Sequence, residues 1–176
     1  TRPFELKIET VDLAGLLQEV AALVEPEARR NGVKVALDDG AATAAVRGDH
    51  DLLKQAILNV VVNGIEAMRN GGRLRLRVER EAEECVVRVA DEGPGIPPHL
   101  RERIFDLYFT TKEEGTGIGL AMTFRVVHLH NATIDFTTEA GKGTTFRMRF
   151  PASEDLRRPE GDAVGVPERS ASVQYT

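Results

Sequence analysis

Asp91-Glu92-Gly93-Pro94-Gly95-Ile96-Pro97 and Gly115-Thr116-Gly117-Ile118-Gly119-Leu120 bracket a charged segment that contains Phe105, Tyr108, Phe109 and Thr110-Thr111-Lys112. Glycine has no Cβ, so it lets a backbone turn through positive φ and lets a flat or phosphorylated ligand lie against the peptide units. Two such clusters in one small domain, with a charged insert between them, read as a nucleotide pocket under a mobile lid. Their flanks fix the setting. Cys85 to Asp91 is an apolar strand that ends on a carboxylate just before the first cluster, and a helix from Ile118 to about His130 begins at the second. Leu120, Ala121, Phe124 and Val127 recur on that helix at helical spacing; His128 continues the stripe and His130 points away from it.

The strands around this stretch decide the fold class. Asn70-Gly71-Gly72 is a turn signal ahead of a strand from Arg73 to Arg80, in which Leu74, Leu76 and Val78 alternate with Arg73, Arg75 and Arg77. Two more strands, Thr133 to Thr138 and Thr144 to Phe150, are joined by Gly141-Lys142-Gly143, and the last repeats the alternation with Phe146, Met148 and Phe150 against Arg147 and Arg149. One sheet face is therefore wet. That predicts an α/β two-layer sandwich, a mixed and largely antiparallel sheet with helices on one face only.

Toward the N-terminus, Phe4 to Ile8 alternates as an edge strand, and Asp12 is placed to cap a helix from about 13 to 30 with Leu13, Leu16, Leu17, Val20, Leu23 and Val24 on its apolar face. Pro26 predicts a kink or a loosened turn, and Asn31-Gly32 stops the helix before a strand of Val33, Val35 and Leu37. A loose alanine-rich link follows. Asp49 then caps a helix from about 50 to 69 whose apolar face is Leu53, Ala56, Ile57, Val60, Val61, Gly64, Ile65 and Met68. From Pro151 onward the chain is rich in Pro, Gly, Ser and charge without periodicity, so residues 1–151 read as one domain and 152–176 as a disordered tail or linker.

The second helix carries an anomaly. Gln55, Asn59, Asn63 and Glu66 fall at spacings of four, four and three, a polar stripe on one face. Asparagine competes with the backbone for hydrogen bonds and is a poor interior helix residue, so a merely solvated face does not explain the choice. Two carboxamide oxygens suit a hard cation such as Mg2+, which takes oxygen ligands and completes its shell with water and phosphate.

Composition narrows the function classes. A net charge of −5 on 176 residues, with arginines dispersed through strands, gives no electrostatic footprint for nucleic acid. The single Cys85 sits in an apolar run and reads as a reduced core residue of a cytosolic domain. No apolar run approaches the roughly 18 residues of a membrane span. The chain lacks an initiator methionine, which reads as a piece of a longer protein, and membrane attachment through other segments stays open. Familiar phosphate motifs fail: the second glycine cluster has the wrong spacing for a dinucleotide fingerprint, and Gly141-Lys142-Gly143 lacks the upstream glycine of a P-loop and lies between strands.

Taken together, the helix with Asn59 and Asn63, the Asp91-x-Gly93-x-Gly95-Ile96 loop, Phe105 to Lys112, the second glycine cluster and Gly141-Lys142-Gly143-Thr144-Thr145-Phe146 resemble, in order, the N, G1, F, G2 and G3 boxes of the catalytic ATP-binding domain of bacterial sensor histidine kinases. The resemblance covers about residues 4–151, and the short Phe109-Thr110-Thr111-Lys112 lid most resembles the nitrogen-regulation type. It implies the Bergerat fold, an α/β sandwich. It also implies that Asn59 and Asn63 hold Mg2+ on the ATP phosphates, and that Asp91 binds the adenine amine and, through water with Thr144, a second ring position. Gly93, Gly95 and Ile96 would line the base, while Thr110, Thr111, Lys112, Gly115, Thr116, Gly117, Ile118, Gly119 and Leu120 would cover and cradle the phosphates. Asn59 and Lys112 would act in catalysis.

Related ATP-hydrolysing members, such as gyrase, the heat-shock chaperones and mismatch-repair proteins, place a glutamate general base where this chain has Asn59. A neutral carboxamide takes no proton from water, which favours transfer to a partner over hydrolysis. The resemblance implies a partner, the dimerisation and histidine-phosphotransfer domain of the parent kinase, and indirectly a response regulator. None of His50, His99, His128 or His130 has the family's His-Glu/Asp-x-x-x-Pro setting. Four positions depart from the pattern: Gly64 for alanine, Glu66 for a lysine found in several subfamilies, and Leu107-Tyr108 for Pro-Phe. The alternative reading is a nucleotide-binding sensing or scaffolding module of a degenerate kinase, without phosphotransfer.

Overall fold

The computed structural model describes residues 5–38, 43–113 and 115–154. Its main sheet has five strands in the order β2-β4-β5-β7-β6: β2 (Val33–Asp38), β4 (Gly72–Glu81), β5 (Glu84–Asp91), β7 (Gly143–Pro151) and β6 (Thr133–Glu139). Only the β2/β4 pair is parallel. The inward residues Leu74, Leu76, Val78, Val87, Met148 and Phe150 are buried, whereas Arg73, Arg75 and Arg77 are exposed. Across the open face, Arg88 binds Glu79 and Glu81, Arg147 binds Asp135, and Arg149 binds Glu81, so most of the arginine ladder is paired within the sheet. This is the expected two-layer α/β sandwich.

Three helices cover the inner face. Asp12 accepts the Ala14 N–H at 3.1 Å and opens α1 (Leu13–Arg30), and Asp49 accepts the Leu52 N–H at 3.1 Å and opens α2 (His50–Ala67). The apolar face of α2 (Leu53, Ile57, Val60, Val61 and Ile65) is at most 1% exposed, and burying each such side chain stabilises the fold by roughly 1.5–3 kcal/mol. α3 (Gly119–Leu129) packs against α2 and β6.

Several expectations are corrected. The first strand, β1, is Glu9–Asp12 rather than a segment ending at Ile8, and Phe4 lies outside the described residues. β1 pairs not with the main sheet but with β3 (Ala45–Gly48), which the alanine-rich link conceals. β3 gains support from the far end of the chain: Val46 bridges Ala152, and the Ser153 N–H reaches the Ala45 carbonyl at 2.7 Å. α1 runs unbroken through Pro26, and Leu23 on its presumed apolar face is 55% exposed. The remainder of the tail, from residue 155, lies outside the described residues.

The face of α3 is also rotated relative to the expectation. Thr123, Val126 and Val127 are buried, while Phe124 and His128 are exposed and stack with centroids 4.2 Å apart. His130, expected to point away, is 7% exposed. Its Nε2 accepts the Asp49 N–H at 3.0 Å and its Nδ1 lies 2.7 Å from the Val126 carbonyl. An amide N–H can only donate, so Nε2 is the acceptor and the proton sits on Nδ1.

Candidate nucleotide site

Strand β5 delivers Asp91 to the mouth of a narrow cavity between α2 and the β6–β7 hairpin. Asn63, Gly64, Ala67, Asp91, Pro94, Ile96, Thr144 and Phe146 are among its walls, and its volume is about 70 Å³. Both protein hydrogen bonds to the Asp91 carboxylate fall on Oδ1, from the Gly93 N–H at 2.9 Å and the Thr144 N–H at 3.3 Å. Oδ2 accepts none among the described residues. Burial pushes the Asp91 carboxyl above its ordinary range, and the two backbone donors pull the other way. A half-buried carboxylate with one committed oxygen and one uncommitted oxygen is built to accept a ligand donor.

The neighbouring backbone shows why glycine is needed here. A Cβ on Gly143, whose φ is +116°, would stand 1.9 Å from the Asp91 carbonyl oxygen. That clearance lets β7 close on β5 and brings Thr144 beside the carboxylate.

The polar stripe of α2 is wired rather than merely solvated. Gln55 Nε2 donates to Asn59 Oδ1 at 3.0 Å, and Asn59 Nδ2 donates to the Gly119 carbonyl at 3.1 Å, tying α2 to the start of α3. Lys112 Nζ donates to Asn63 Oδ1 at 2.6 Å and to Glu66 Oε2. The Asn63 oxygen thus already faces a cation, and its chemistry fits a hard metal ion. The Asn59 oxygen accepts one hydrogen bond, from Gln55, and keeps its second lone pair.

The lid is anchored before it covers anything. Phe105 packs into the core against Phe124, Phe136 and Phe146 with centroids 5.3, 6.1 and 6.3 Å away, so the cover begins beyond Phe105 rather than at it. Tyr108, at φ +65°, donates its N–H to the Gly117 carbonyl at 2.9 Å, which lays the lid directly on the second glycine cluster. Thr110 Oγ1 accepts the Lys112 N–H and Thr116 Oγ1 accepts the Ile118 N–H; Thr111 is exposed. α3 starts at Gly119 with no side-chain cap, so its first-turn amides have no side-chain acceptor, and Gly115 and Leu120 are half-buried beside it. Such a helix start favours anionic groups.

A larger hollow of about 280 Å³ lies at the N-terminus of α2, between Lys7, Ile8, Glu9, Asp49, His50 and Asp51. Asp49 and His50, its innermost polar groups on α2, already have partners. Asp49 takes the Lys7 N–H, and His50 bridges Asp51 and Glu19, which raise its pKa. Among the described residues, no group of three or more His, Cys, Asp or Glu is arranged to hold a metal, and no helix is long and apolar enough to cross a membrane.

A one-sided sheet, a carboxylate at a narrow cavity, a cation-facing carboxamide and an uncapped helix behind a lid are parts that a nucleotide pocket requires. Residues 48–154 match the model of the histidine kinase-, DNA gyrase B-, and HSP90-like ATPases. Sporulation kinase A of Bacillus subtilis (strain 168) is 36% identical over 143 residues, 81% of this chain and 24% of that protein. Among solved structures, full-length ShkA in complex with AMPPNP superposes with TM-score 0.78 at 29% identity, covering 87% of this chain and 33% of that one. The nucleotide-free catalytic domain of the histidine kinase ThkA gives 0.75 at 29% identity, covering 83% of this chain and 96% of that one. The chain belongs to this ATPase family, and the relatives and solved structures it resembles are sensor histidine kinases and their catalytic domains. It spans about a quarter of the length of sporulation kinase A.

The sequence-predicted residues Asn63, Asp91, Gly95, Ile96 and Thr144 meet around one cavity, and Lys112 reaches Asn63 from the lid. Thr138 was missed. Its hydroxyl joins the Ile96 N–H, the Gly143 carbonyl and Thr144, and the signal for it was available, since Thr138 lies across the β6–β7 hairpin from Thr144.

Proposed function

We propose that this domain binds ATP with Mg2+ and passes the γ-phosphoryl to a histidine on the dimerisation domain of its parent kinase. The observation that carries the reading is that Asp91, whose Oδ2 has no protein donor among the described residues, and Asn63, whose oxygen faces a cation, line one cavity. Asp91 accepts the adenine amine, Thr144 meets a second ring position through water, and Gly93, Gly95 and Ile96 line the base. The first-turn amides of α3, with Gly115 to Leu120, hold the phosphates, and Thr110, Thr111 and Lys112 close over them. Asn63 and Asn59 would hold the metal, which would supply charge neutralisation to the phosphates.

During transfer an imidazole nitrogen forms its bond to the γ-phosphorus as the bond to the ADP oxygen breaks, and Lys112 offsets the charge of the departing diphosphate. The residues of the stripe withhold a base from water. Asn59, where the hydrolysing relatives carry a glutamate, is a neutral amide that takes no proton from water. Hydrolysis is therefore disfavoured against transfer, and a scaffolding role without phosphotransfer would not require this arrangement.

Partner docking has a surface at hand. Ile118, Met122 and Leu129 lie along one outer face of α3, and Leu107 and Tyr108 of the lid are also exposed. We assign this surface to the helical dimerisation domain, and place the response regulator downstream of the phosphohistidine. The parent would be a sensor with this domain in the cytosol. Calorimetric titration of ATP into the wild type, Asp91→Ala and Asn63→Ala tests the pocket. Roughly tenfold or greater weakening is expected for Asp91→Ala, as for loss of a hydrogen bond to a charged group. Unchanged affinity in that variant would sink the base assignment.

A further inference from the structure

The arginine ladder on the open face of the sheet is unfinished at one end. Cross-strand partners share a face, so the open side is built of transverse rows. In one row Asp38, Arg77, Arg88, Arg147 and Asp135 are successive register partners. Each arginine in it meets a carboxylate: Arg77 meets Asp38 and Glu79, Arg88 meets Glu79 and Glu81, and Arg147 meets Asp135. Toward the other end the next row is Ala36, Arg75, Ala90, Thr145 and Thr137, and beyond it Lys34 is the partner of Arg73. Lys34, Arg73 and Arg75 are exposed, and among the described residues their side chains have no ion pair and no hydrogen bond. Glu92 reaches this corner, but its Oε2 accepts the backbone N–H of Arg73 at 3.0 Å rather than either guanidinium.

A face that neutralises its arginines in one row and leaves three cations over in the next, on a chain of net charge −5, is complementary to carboxylates supplied from outside. Two of the three are arginines, whose planar fork holds a carboxylate through two parallel N–H bonds. Ala36 and Ala90 flank Arg75 with nothing beyond Cβ, so a segment laid across the strands can come down onto the sheet there. The Thr145 and Thr137 hydroxyls continue the row as further donors. A lipid surface fits less well. Anionic membranes are held by clusters of roughly four to eight cations, and the exposed large apolar side chains among the described residues all lie outside the main sheet.

We propose that Lys34, Arg73 and Arg75 form a docking surface for an acidic segment of a partner protein, which lies across the open face with its carboxylates on the two guanidinium groups. The surface is on the side of the sheet away from the helices, so the docking does not depend on what occupies the Asp91 cavity.

An octaglutamate peptide titrated into the full chain and followed by amide chemical shifts tests it. The wild type is expected to bind, with the largest shifts at residues 34–36 and 73–75 and at Ala90 and Thr145. Binding should weaken as salt shortens the Debye length from roughly 30 Å at 0.01 M to roughly 10 Å at 0.1 M. Arg73→Gln combined with Arg75→Gln should weaken the peptide roughly fivefold or more, the sum of two exposed charge pairs. Arg125→Gln removes an exposed arginine of α3 that also has no partner among the described residues, and it should leave affinity within roughly twofold, being screened from the docking surface. Arg73→Glu combined with Arg75→Glu should lose octaglutamate and gain octalysine, a reversal that a folding defect does not produce. Vesicles containing phosphatidylserine supply the lipid alternative. The proposal is overturned by no binding of octaglutamate, by equal weakening in Arg125→Gln and the double glutamine variant, or by vesicle binding that needs Arg73 and Arg75 when octaglutamate binding does not.

Discussion

The ammonium of Lys112 stands 2.6 Å from the carboxamide oxygen of Asn63, and Glu66 pairs with the same ammonium. A lid cation thus sits on the oxygen proposed for the metal, and it is held there by a carboxylate one turn further along α2. Mg-ATP has to displace it, after which Lys112 is free to meet phosphate. Glu66→Gln should loosen this tether and tighten Mg-ATP binding by up to roughly fivefold, the ceiling for an exposed pair worth about 1 kcal/mol. Lys112→Ala should lower affinity for ATP more than for ADP. Calorimetry with both nucleotides checks both statements, and a weaker ATP complex in Glu66→Gln would rule out the tether.

Asp91 couples stability to function through pH. Its pKa is raised by burial, so the folded state favours the protonated form. The contribution of this group to stability is therefore complete below the unfolded carboxylate value of about 3.9 and is lost as pH rises through the higher folded value. Asp91→Asn should accordingly raise the melting temperature of the nucleotide-free domain at neutral pH. It should also weaken ADP by roughly tenfold to a hundredfold, since a charge-assisted bond is lost. In the wild type, ADP affinity should fall with acid at a midpoint above the ordinary aspartate value. That component should be missing in Asp91→Asn.

Gly143 and Gly141 share positive φ but not surroundings. Nothing lies within 4 Å of a Cβ built on Gly141, whereas one on Gly143 would collide with the Asp91 carbonyl at 1.9 Å. Gly141→Ala should cost about 1–2 kcal/mol, the left-handed backbone penalty alone. Gly143→Ala should cost more than about 3 kcal/mol or fail to fold, because β5 and β7 must separate. Denaturant melts of the two variants check the contrast.

His130 joins the end of α3 to the start of α2. Replacing it with alanine leaves the Asp49 N–H and the Val126 carbonyl without their imidazole partners and opens space above Gly48, whose would-be Cβ lies 2.8 Å from the ring. The expected loss is about 2–4 kcal/mol from unmade hydrogen bonds and cavity together. Equilibrium unfolding of His130→Ala reads it directly.

What the sequence made legible follows from which forces are local. The caps at Asp12 and Asp49, the apolar face of α2 and the alternating strands are short-range patterns, and the structure reproduces them. The Gln55–Asn59–Asn63–Glu66 stripe was visible from spacing, but its wiring was not, since Lys112 reaches Asn63 across 49 positions. β3 escaped because Ala45-Val46-Arg47-Gly48 has little strand character of its own and is defined by β1 and Ala152. The face of α3 was misread because hydropathy ranks Phe124 above Thr123. Thr123 is buried with its hydroxyl 3.0 Å from the Ala56 carbonyl, and Phe124 meets its needs by stacking on Phe105 and His128. Thr138 looked like one threonine among several in β6 until the strand register put it beside Thr144.

The most direct test of phosphoryl transfer supplies the parent kinase's dimerisation domain separately and incubates it with this chain and γ-labelled ATP. Label that is acid-labile, base-stable and on histidine of the dimerisation domain is the predicted result, abolished by Asn63→Ala and Asp91→Ala. Label released only as inorganic phosphate, or none transferred although ATP binds, would contradict it.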